Sequence, residues 1–202
     1  MGVYQTLCRE RTLLFGQEED KLYVRGPLQP GLFTIPGDVS SQFISGLLFA
    51  LPLLEAGSVL SITPPVESRP YIEMTRQAQA MFGVESVWTD ENALRVFGGQ
   101  QYQPRDVEVE GDWSNGAFFL GANQLGSCVN VLGLDPKSPQ GDRAFQDIFS
   151  ACSEKMEVSA AQIPDLIPIL AVVAGANRGG LFYNAARLRL KESDRIESTA
   201  KM

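Results

Sequence analysis

The chain has 202 residues, 44% of them hydrophobic, which is enough apolar material to fill one ordinary core or two small ones. Its formal net charge of -7 at pH 7 argues against a nucleic-acid partner or an anionic membrane surface. Because it has no histidine, any proton transfer must use carboxylates, lysine, tyrosine or water.

No targeting, membrane or metal-binding pattern is visible. The longest apolar run, at 46–54, is far shorter than the roughly 20 residues that span a bilayer, and charged residues stand where a secretory signal would be apolar. The cysteines Cys8, Cys128 and Cys152 are widely spaced, which favours small buried thiols in a reducing compartment. We therefore expect a cytoplasmic protein with no membrane anchor and no metal.

The first half of the chain reads as a hairpin followed by a helix–strand–helix unit. An acidic turn between strand-like segments predicts the hairpin at 12–26. Apolar residues at helical spacing predict a buried helix at 37–54, ended by Gly57. Alternation predicts a strand at 58–63, and a second helix is expected from Pro70.

The same order of elements returns after a second hairpin predicted at 84–97. An apolar helix is expected at 111–126 and a strand at 129–132, and Asp142 is a candidate cap for the next helix. The unit therefore repeats at least once.

A third copy is predicted in the last part of the chain. It has an apolar helix at 166–176, a strand at 181–183 and a further helix near Lys191. Three copies of one order predict an α/β architecture of repeated helix-plus-sheet units.

Four polar strings are candidates for chemistry, and each has a plain structural alternative. GDVSSQ at 37–42 and ESRPY at 67–71 each open a helix, where free N–H groups favour a phosphate or carboxylate, but serines there are also ordinary caps. Asp165 is either a general base or an N-cap. The charges of KESDR at 191–195 fall within one predicted helical turn and are either functional or surface ion pairs.

Taken together, these strings resemble the 5-enolpyruvylshikimate-3-phosphate synthase family over essentially the whole chain. The strings that carry the resemblance, in matching order and approximate spacing, are GDVSSQFISGLL at 37–48, ESRPYIE at 67–73, VEGDWS at 109–114, QGDRAF at 140–145, IPD at 163–165 and KESDR at 191–195. The resemblance implies an inside-out α/β barrel of two domains, each built from three βαβαββ units, with the active site in the cleft between them. Residues 1–109 would belong to the first, shikimate-phosphate-binding domain and 110–202 to the second.

The resemblance also implies a reaction. The enolpyruvyl group of phosphoenolpyruvate would pass to the 5-hydroxyl of shikimate 3-phosphate, giving 5-enolpyruvylshikimate 3-phosphate and phosphate, on the shikimate pathway to chorismate and the aromatic amino acids. Neither a metal nor an organic cofactor is expected. The implied substrate-binding residues are Ser40, Ser41, Gln42, Ser68, Arg69, Tyr71, Asp165, Lys191 and Arg195.

The same resemblance gives roles to the charged residues of the second half. Asp165 and Lys191 would bind the reacting hydroxyl, with Asp165 taking its proton. Glu192 would supply or relay the proton to the methylene carbon, and Arg195 would bind phosphoenolpyruvate.

The chain departs from the family in two ways. Arg187 stands where some members have asparagine, four residues before Lys191. The chain also covers about half of the family's length and lacks terminal segments that contribute further lysine, serine and arginine contacts. We expect it to be inactive alone, the complete enzyme to be a monomer, and glyphosate to be the inhibitor to test.

Two other functions remain open from the sequence. A UDP-N-acetylglucosamine enolpyruvyl transferase shares the fold and reaction type, but generally uses a loop cysteine that has no counterpart here. A non-catalytic anion-binding repeat module would share the caps and cores without requiring the charged residues to converge.

Overall fold

The computed structural model describes residues 2–150 and 155–202, and it divides into two compact units. The first unit comprises Met1–Glu67 and Ile72–Arg105, and the second comprises Ser68–Tyr71 and Asp106–Met202. Each unit has its own cluster of buried apolar side chains. The short segment Ser68–Tyr71 is thus part of the second unit.

The first unit opens with a helix and a hairpin. Helix α1 spans Gly2–Glu10, and the antiparallel strands β1 (Leu14–Glu18) and β2 (Lys21–Arg25) confirm the hairpin predicted at 12–26. All of β2 is exposed, so little beyond the ladder and turn fixes this hairpin in place.

A four-stranded sheet forms the body of the first unit. Its elements are β3 (Leu32–Pro36), α2 (Ser41–Ala50), β4 (Ser58–Thr63), the part of α3 (Arg69–Met81) from Ile72 onward, β5 (Ser86–Asp90) and β6 (Ala93–Val96). Strand order is β3-β4-β6-β5, with β3 and β4 parallel and the other neighbours antiparallel. This is one complete βαβαββ unit, and it confirms the strand predicted at 58–63 and the hairpin predicted at 84–97.

Side-chain alternation explains the sheet, and a proline explains where α2 ends. Along β4 the side chains of Leu60 and Ile62 point into the core while their neighbours do not. Helix α2 buries Ile44 and Leu48 against them. The helix stops at Ala50 rather than near Gly57, because Pro52 has no N–H to continue the ladder, and the chain turns into a 3₁₀ helix.

The second unit is built around one very apolar helix. Its regular elements are α4 (Trp113–Gln124), α5 (Ala144–Ser150), β7 (Met156–Ser159), α6 (Ile167–Ala176), β8 (Gly180–Tyr183) and α7 (Arg195–Lys201). Strands β7 and β8 are parallel and α6 connects them, so this part is a βαβ unit. Leu170 and Val173 of α6 lie at the centre of the core.

The strand predicted at 129–132 is wrong. Both backbone groups of Val129 are bonded to the amide side chain of Asn123, whose Nδ2 donates at 2.8 Å and whose Oδ1 accepts at 2.7 Å. Because a side chain satisfies this backbone, and Leu132 is 80% exposed, no neighbouring strand is recruited.

The prediction of a helix at Lys191 is also wrong in its position. Residues 186–190 form a 3₁₀ helix, and α7 begins only at Arg195, where Asp194 Oδ1 accepts from Glu197 N at 3.0 Å. Lys191 and Arg195 therefore do not share a helical turn.

The cysteine prediction holds in part. Cys8 is buried as expected, but Cys128 is exposed, and Cys152 lies outside the described residues. Within 2–150 and 155–202, no helix combines the length and apolar character required to cross a membrane.

Candidate functional site

The start of α2 gathers the first group of candidate residues. Ser40 is extended, and its hydroxyl accepts from the N–H of Gln42 at 3.3 Å, so it is the N-cap. Ser41 is buried and Gln42 is exposed. Before them, Gly37 closes β3 so tightly that a Cβ would lie 2.7 Å from Pro65 O, and no other residue fits there.

Ser68 anchors a second group, within the second unit. It has a left-handed backbone with φ of 55°, is 2% exposed, and donates its N–H to Ala161 O at 3.1 Å. Its hydroxyl accepts a hydrogen bond from the buried guanidinium of Arg187, and the Arg69 N–H donates to Gln162 Oε1 at 2.9 Å. A non-glycine residue in this conformation costs about 1 kcal/mol or more, so the surrounding contacts hold the serine in place.

Asp165 is the centre of the charged cluster. It lies in the 3₁₀ turn that leads into α6, but its carboxylate caps no helix, so the N-cap alternative is wrong. Oδ1 instead accepts a hydrogen bond from Arg195 and lies 3.9 Å from Lys191 Nζ. Arg195 also donates to Glu192 Oε2 at 2.8 Å, which brings together Asp165, Lys191, Glu192 and Arg195, four of the five charged residues expected at the site.

Tyr71 connects this cluster to a second buried carboxyl group. Its hydroxyl lies 2.9 Å from Asp165 Oδ2 and 2.8 Å from Asp142 Oδ2. Asp142 Oδ2 also accepts from the Ser114 hydroxyl near the start of α4. Four segments that are distant in sequence thus meet in one hydrogen-bonded chain within the second unit.

The two carboxyl groups are pushed in opposite directions. Burial alone would raise the pKa of Asp165, but the hydrogen bond from Arg195 and the charge of Lys191 outweigh it, so the pKa is lowered. Burial raises the pKa of Asp142 despite its bonds to Ser114 and Tyr71. Asp165 is therefore held in its ionised form.

The other titratable groups follow from their surroundings. Burial, followed by the electrostatic and hydrogen-bond interactions with Asp142 and Asp165, raises the pKa of the Tyr71 phenol, so it remains protonated. A backbone hydrogen bond, followed by the bond from Arg195, lowers the pKa of Glu192.

This arrangement supplies an oriented carboxylate beside two cations, which suits proton removal from a hydroxyl and the binding of anions. Sequence reasoning missed three members of the network, namely Asp142, Ser114 and Arg187. Asp142 and Ser114 lie in QGDRAF and VEGDWS, two strings that carry the resemblance but imply no site residue, and Arg187 appears in the sequence only as a departure from the family. Over the described ranges, no group of three or more His, Cys, Asp or Glu side chains could hold a metal ion.

Comparison with known sequences gives a consistent result. The family model described as EPSP synthase (3-phosphoshikimate 1-carboxyvinyltransferase) matches residues 15–162. The 3-phosphoshikimate 1-carboxyvinyltransferase of Brachyspira hyodysenteriae is 38% identical, over 97% of this chain and 51% of its own length. That of Methanocorpusculum labreanum is 42% identical, over 87% of this chain and 46% of its own length. The chain thus spans about half the length of the curated relatives it matches.

Comparison with solved structures shows the fold. The EPSP synthase of Acinetobacter baumannii superposes on the whole chain with a TM-score of 0.72 at 20% identity, the chain covering 52% of that structure. The enolpyruvyl transferase NikO from Streptomyces tendae gives a TM-score of 0.56 at 12% identity, over 89% of this chain and 51% of its own. The architecture is the inside-out α/β type, present in part. With the match over 15–162, these findings show that the chain belongs to the EPSP synthase family.

Proposed function

We propose that this chain provides part of an active site that transfers the enolpyruvyl group of phosphoenolpyruvate to the 5-hydroxyl of shikimate 3-phosphate. The observation that carries the proposal is the ionised carboxylate of Asp165, held by Arg195, Lys191 and Tyr71. A non-catalytic repeat module would have no need for such a partly buried, oriented charge.

Each charged residue takes one step of the addition. Asp165 accepts the proton of the 5-hydroxyl as the hydroxyl oxygen bonds to C2 of phosphoenolpyruvate, the carbon that carries the phosphate, and Lys191 balances the charge at that oxygen. The methylene carbon gains a proton, and a tetrahedral intermediate forms. Phosphate then leaves, and the methyl group gives back a proton as the double bond is restored.

Glu192 is the residue that we propose relays the proton to the methylene carbon. Its side chain is 76% exposed, and its pKa is lowered, first by a backbone hydrogen bond and then by Arg195. It is therefore ionised at rest and must first gain a proton before it donates one. Arg195, which already bonds two carboxylates, would offer its guanidinium to the carboxylate of phosphoenolpyruvate.

Shikimate 3-phosphate would be bound by the serine-rich segments. Ser40, Ser41 and Gln42 offer hydroxyls, an amide and the start of α2, and Ser68 offers a hydroxyl for the phosphate. Arg69 and Tyr71 would line the pocket of Ser68. On this assignment 1–109 is part of the first domain and 110–202 part of the second.

The length of the chain relative to its relatives determines whether we expect activity from it alone. Since it spans about half of its relatives, we expect no turnover from the 202-residue chain, even where it binds a substrate. For the complete protein we propose a cytoplasmic monomer, with glyphosate as the inhibitor to test.

Calorimetric titration of the 202-residue chain with shikimate 3-phosphate tests the binding half of the proposal. We expect binding that Ser68→Ala weakens about tenfold or more, because a hydroxyl bonded to a phosphate is lost. Ser198→Ala, an exposed serine on α7, is the matched control and should change nothing. Binding that is indifferent to Ser68→Ala would contradict the assignment.

Two further titrations separate the alternatives. Glyphosate is added with and without shikimate 3-phosphate, to ask whether the first ligand creates its site. UDP-N-acetylglucosamine replaces the sugar phosphate in a parallel run, and tighter binding of the nucleotide sugar would favour the related transferase instead.

A further inference from the structure

The Tyr71 hydroxyl lies between two carboxyl groups and has one hydrogen. Its oxygen is 2.8 Å from Asp142 Oδ2 and 2.9 Å from Asp165 Oδ2, and both separations are those of a hydrogen bond. One hydrogen cannot serve both contacts. If both aspartates were ionised, two negatively polarised oxygens would face each other with no hydrogen between them, so one carboxyl must bring a proton of its own.

The surroundings decide which carboxyl holds that proton. Asp165 faces the cations Arg195 and Lys191, which favour its ionised form. Asp142 faces the Ser114 and Tyr71 hydroxyls, and the charges that act on it are those of the carboxylates Asp165 and Asp112. Asp165 therefore has cations as its charged neighbours, whereas Asp142 has carboxylates.

The other oxygen of Asp142, Oδ1, also indicates that this carboxyl group holds the proton. Asp142 is 2% exposed, and its Oδ1 is buried without a hydrogen-bond partner among the described residues. A carboxylate oxygen in that position is unfavourable, because the negative charge spreads over both oxygens and one of them has no donor. The carbonyl oxygen of a neutral carboxylic acid tolerates such a place far better.

We propose that Asp142 is a carboxylic acid at neutral pH and is a positioning residue for Asp165. Its proton is donated to the Tyr71 oxygen, and Tyr71 donates its own hydrogen to Asp165 Oδ2. The Ser114 hydroxyl donates to a lone pair of Asp142 Oδ2. Every hydrogen in the chain Ser114–Asp142–Tyr71–Asp165 then has one donor and one acceptor.

This direction of the hydrogen bonds fixes the orientation of the Asp165 carboxylate. Tyr71 holds Asp165 Oδ2 and Arg195 holds Oδ1, so the carboxylate is fixed in one orientation and stays ionised. The catalytic meaning rests on the proposed function, in which Asp165 takes the substrate proton. The protonation of Asp142 itself is a property of the unliganded chain.

Carbon-13 NMR of the chain labelled at its aspartate carboxyl carbons locates the proton directly. The signal removed by Asp142→Asn should lie at the carboxylic-acid position from about pH 5 to about pH 7, where an ordinary aspartate is ionised. The signal removed by the control Asp194→Asn should lie at the carboxylate position throughout, because the hydrogen bond from the Glu197 N–H lowers the pKa of that N-cap carboxyl. An Asp142 signal at the carboxylate position over this range overturns the proposal.

The positioning role has a separate readout in the titration of Asp165. Asp142→Asn is neutral and can donate an N–H to Tyr71, so Asp165 should titrate within about 0.3 pH unit of the wild type. Tyr71→Phe keeps the ring and removes the donor, so Asp165 should titrate at higher pH. Either of two results would show that Asp142 does not position Asp165. One is an unchanged titration of Asp165 in Tyr71→Phe. The other is a shift of the Asp165 titration in Asp142→Asn that is as large as the shift in Tyr71→Phe.

These measurements are made without substrate. A failed shikimate 3-phosphate titration with a protonated Asp142 would count against the proposed function alone, and an ionised Asp142 with intact binding would count against this inference alone. Circular dichroism of each variant confirms that it is folded.

Discussion

Replacing Asp165 by asparagine removes the charge on which the cluster depends while keeping its shape. Arg195 and Lys191 would then face an amide, which accepts one hydrogen bond but balances no charge. We expect the free energy of unfolding to fall at neutral pH, because two cations lose their shared partner.

The exposure of the side chains sets the size of the loss. Breaking a fully buried ion pair costs about 3–5 kcal/mol, whereas an exposed pair contributes about 0–1 kcal/mol. The side chains of Asp165 and Arg195 are 29% and 22% exposed, between these limits. We therefore expect a loss of about 2 kcal/mol, or about 1 M in the urea midpoint. The control Asp147→Asn, 72% exposed and 3.9 Å from Arg143, should cost less than about 0.5 kcal/mol.

The pH dependence of this loss identifies its cause. Burial opposes ionisation of Asp165, but Arg195 and Lys191 lower its pKa overall, so its folded pKa is below its unfolded value of about 3.9. The stabilisation is therefore complete above the unfolded pKa and is lost as pH falls through the folded one. Urea midpoints of wild type and variant should differ by a constant amount above about pH 5 and converge in more acid solution. An unchanged midpoint at neutral pH, or a difference that persists in strong acid, would refute the ionic explanation.

Substitutions at three more positions, two in the first unit and one on α6 of the second, test local features by urea unfolding. Ser40→Ala should lower the free energy of unfolding by about 1 kcal/mol and Ser40→Gly by only a few tenths, because Ser40 caps α2; equal losses would contradict the cap. Gly37→Ala should cost about 1–3 kcal/mol, since its Cβ would lie 2.7 Å from Pro65 O. Gly175→Ala on α6, where nothing lies within 4 Å of the added Cβ, should instead raise the free energy of unfolding by about 0.5–1 kcal/mol. A decrease for Gly175→Ala would show that the room available for a Cβ does not explain the difference between the two glycines.

Local sequence signals located the elements that carry their own stabilising features. The alternation at 58–63 predicted β4, and the serines that are typical helix caps predicted the start of α2. The same signals misplaced α7, because the charges at 191–195 resemble a helical turn while Asp194 caps the helix that follows.

Elements that depend on a distant partner were not predictable in the same way. Strand β7 exists because β8 pairs with it, and neither the alternation nor the composition of four residues signals that pairing. The segment 129–132 has the alternation but no partner, since Asn123 takes the backbone groups of Val129. A strand is a property of two segments, so one of them alone is ambiguous.

The sequence by itself determined the family, the caps and most helices, because these depend on residues close together in the chain. The choice of Asp165 as a charged candidate also came from sequence. Only the tertiary structure revealed that Asp142 and Tyr71 share its hydrogen-bond chain and that Arg187 bonds Ser68. Those contacts join residues 71 to 119 positions apart, and burial and charge at such a site arise only when the chain has folded.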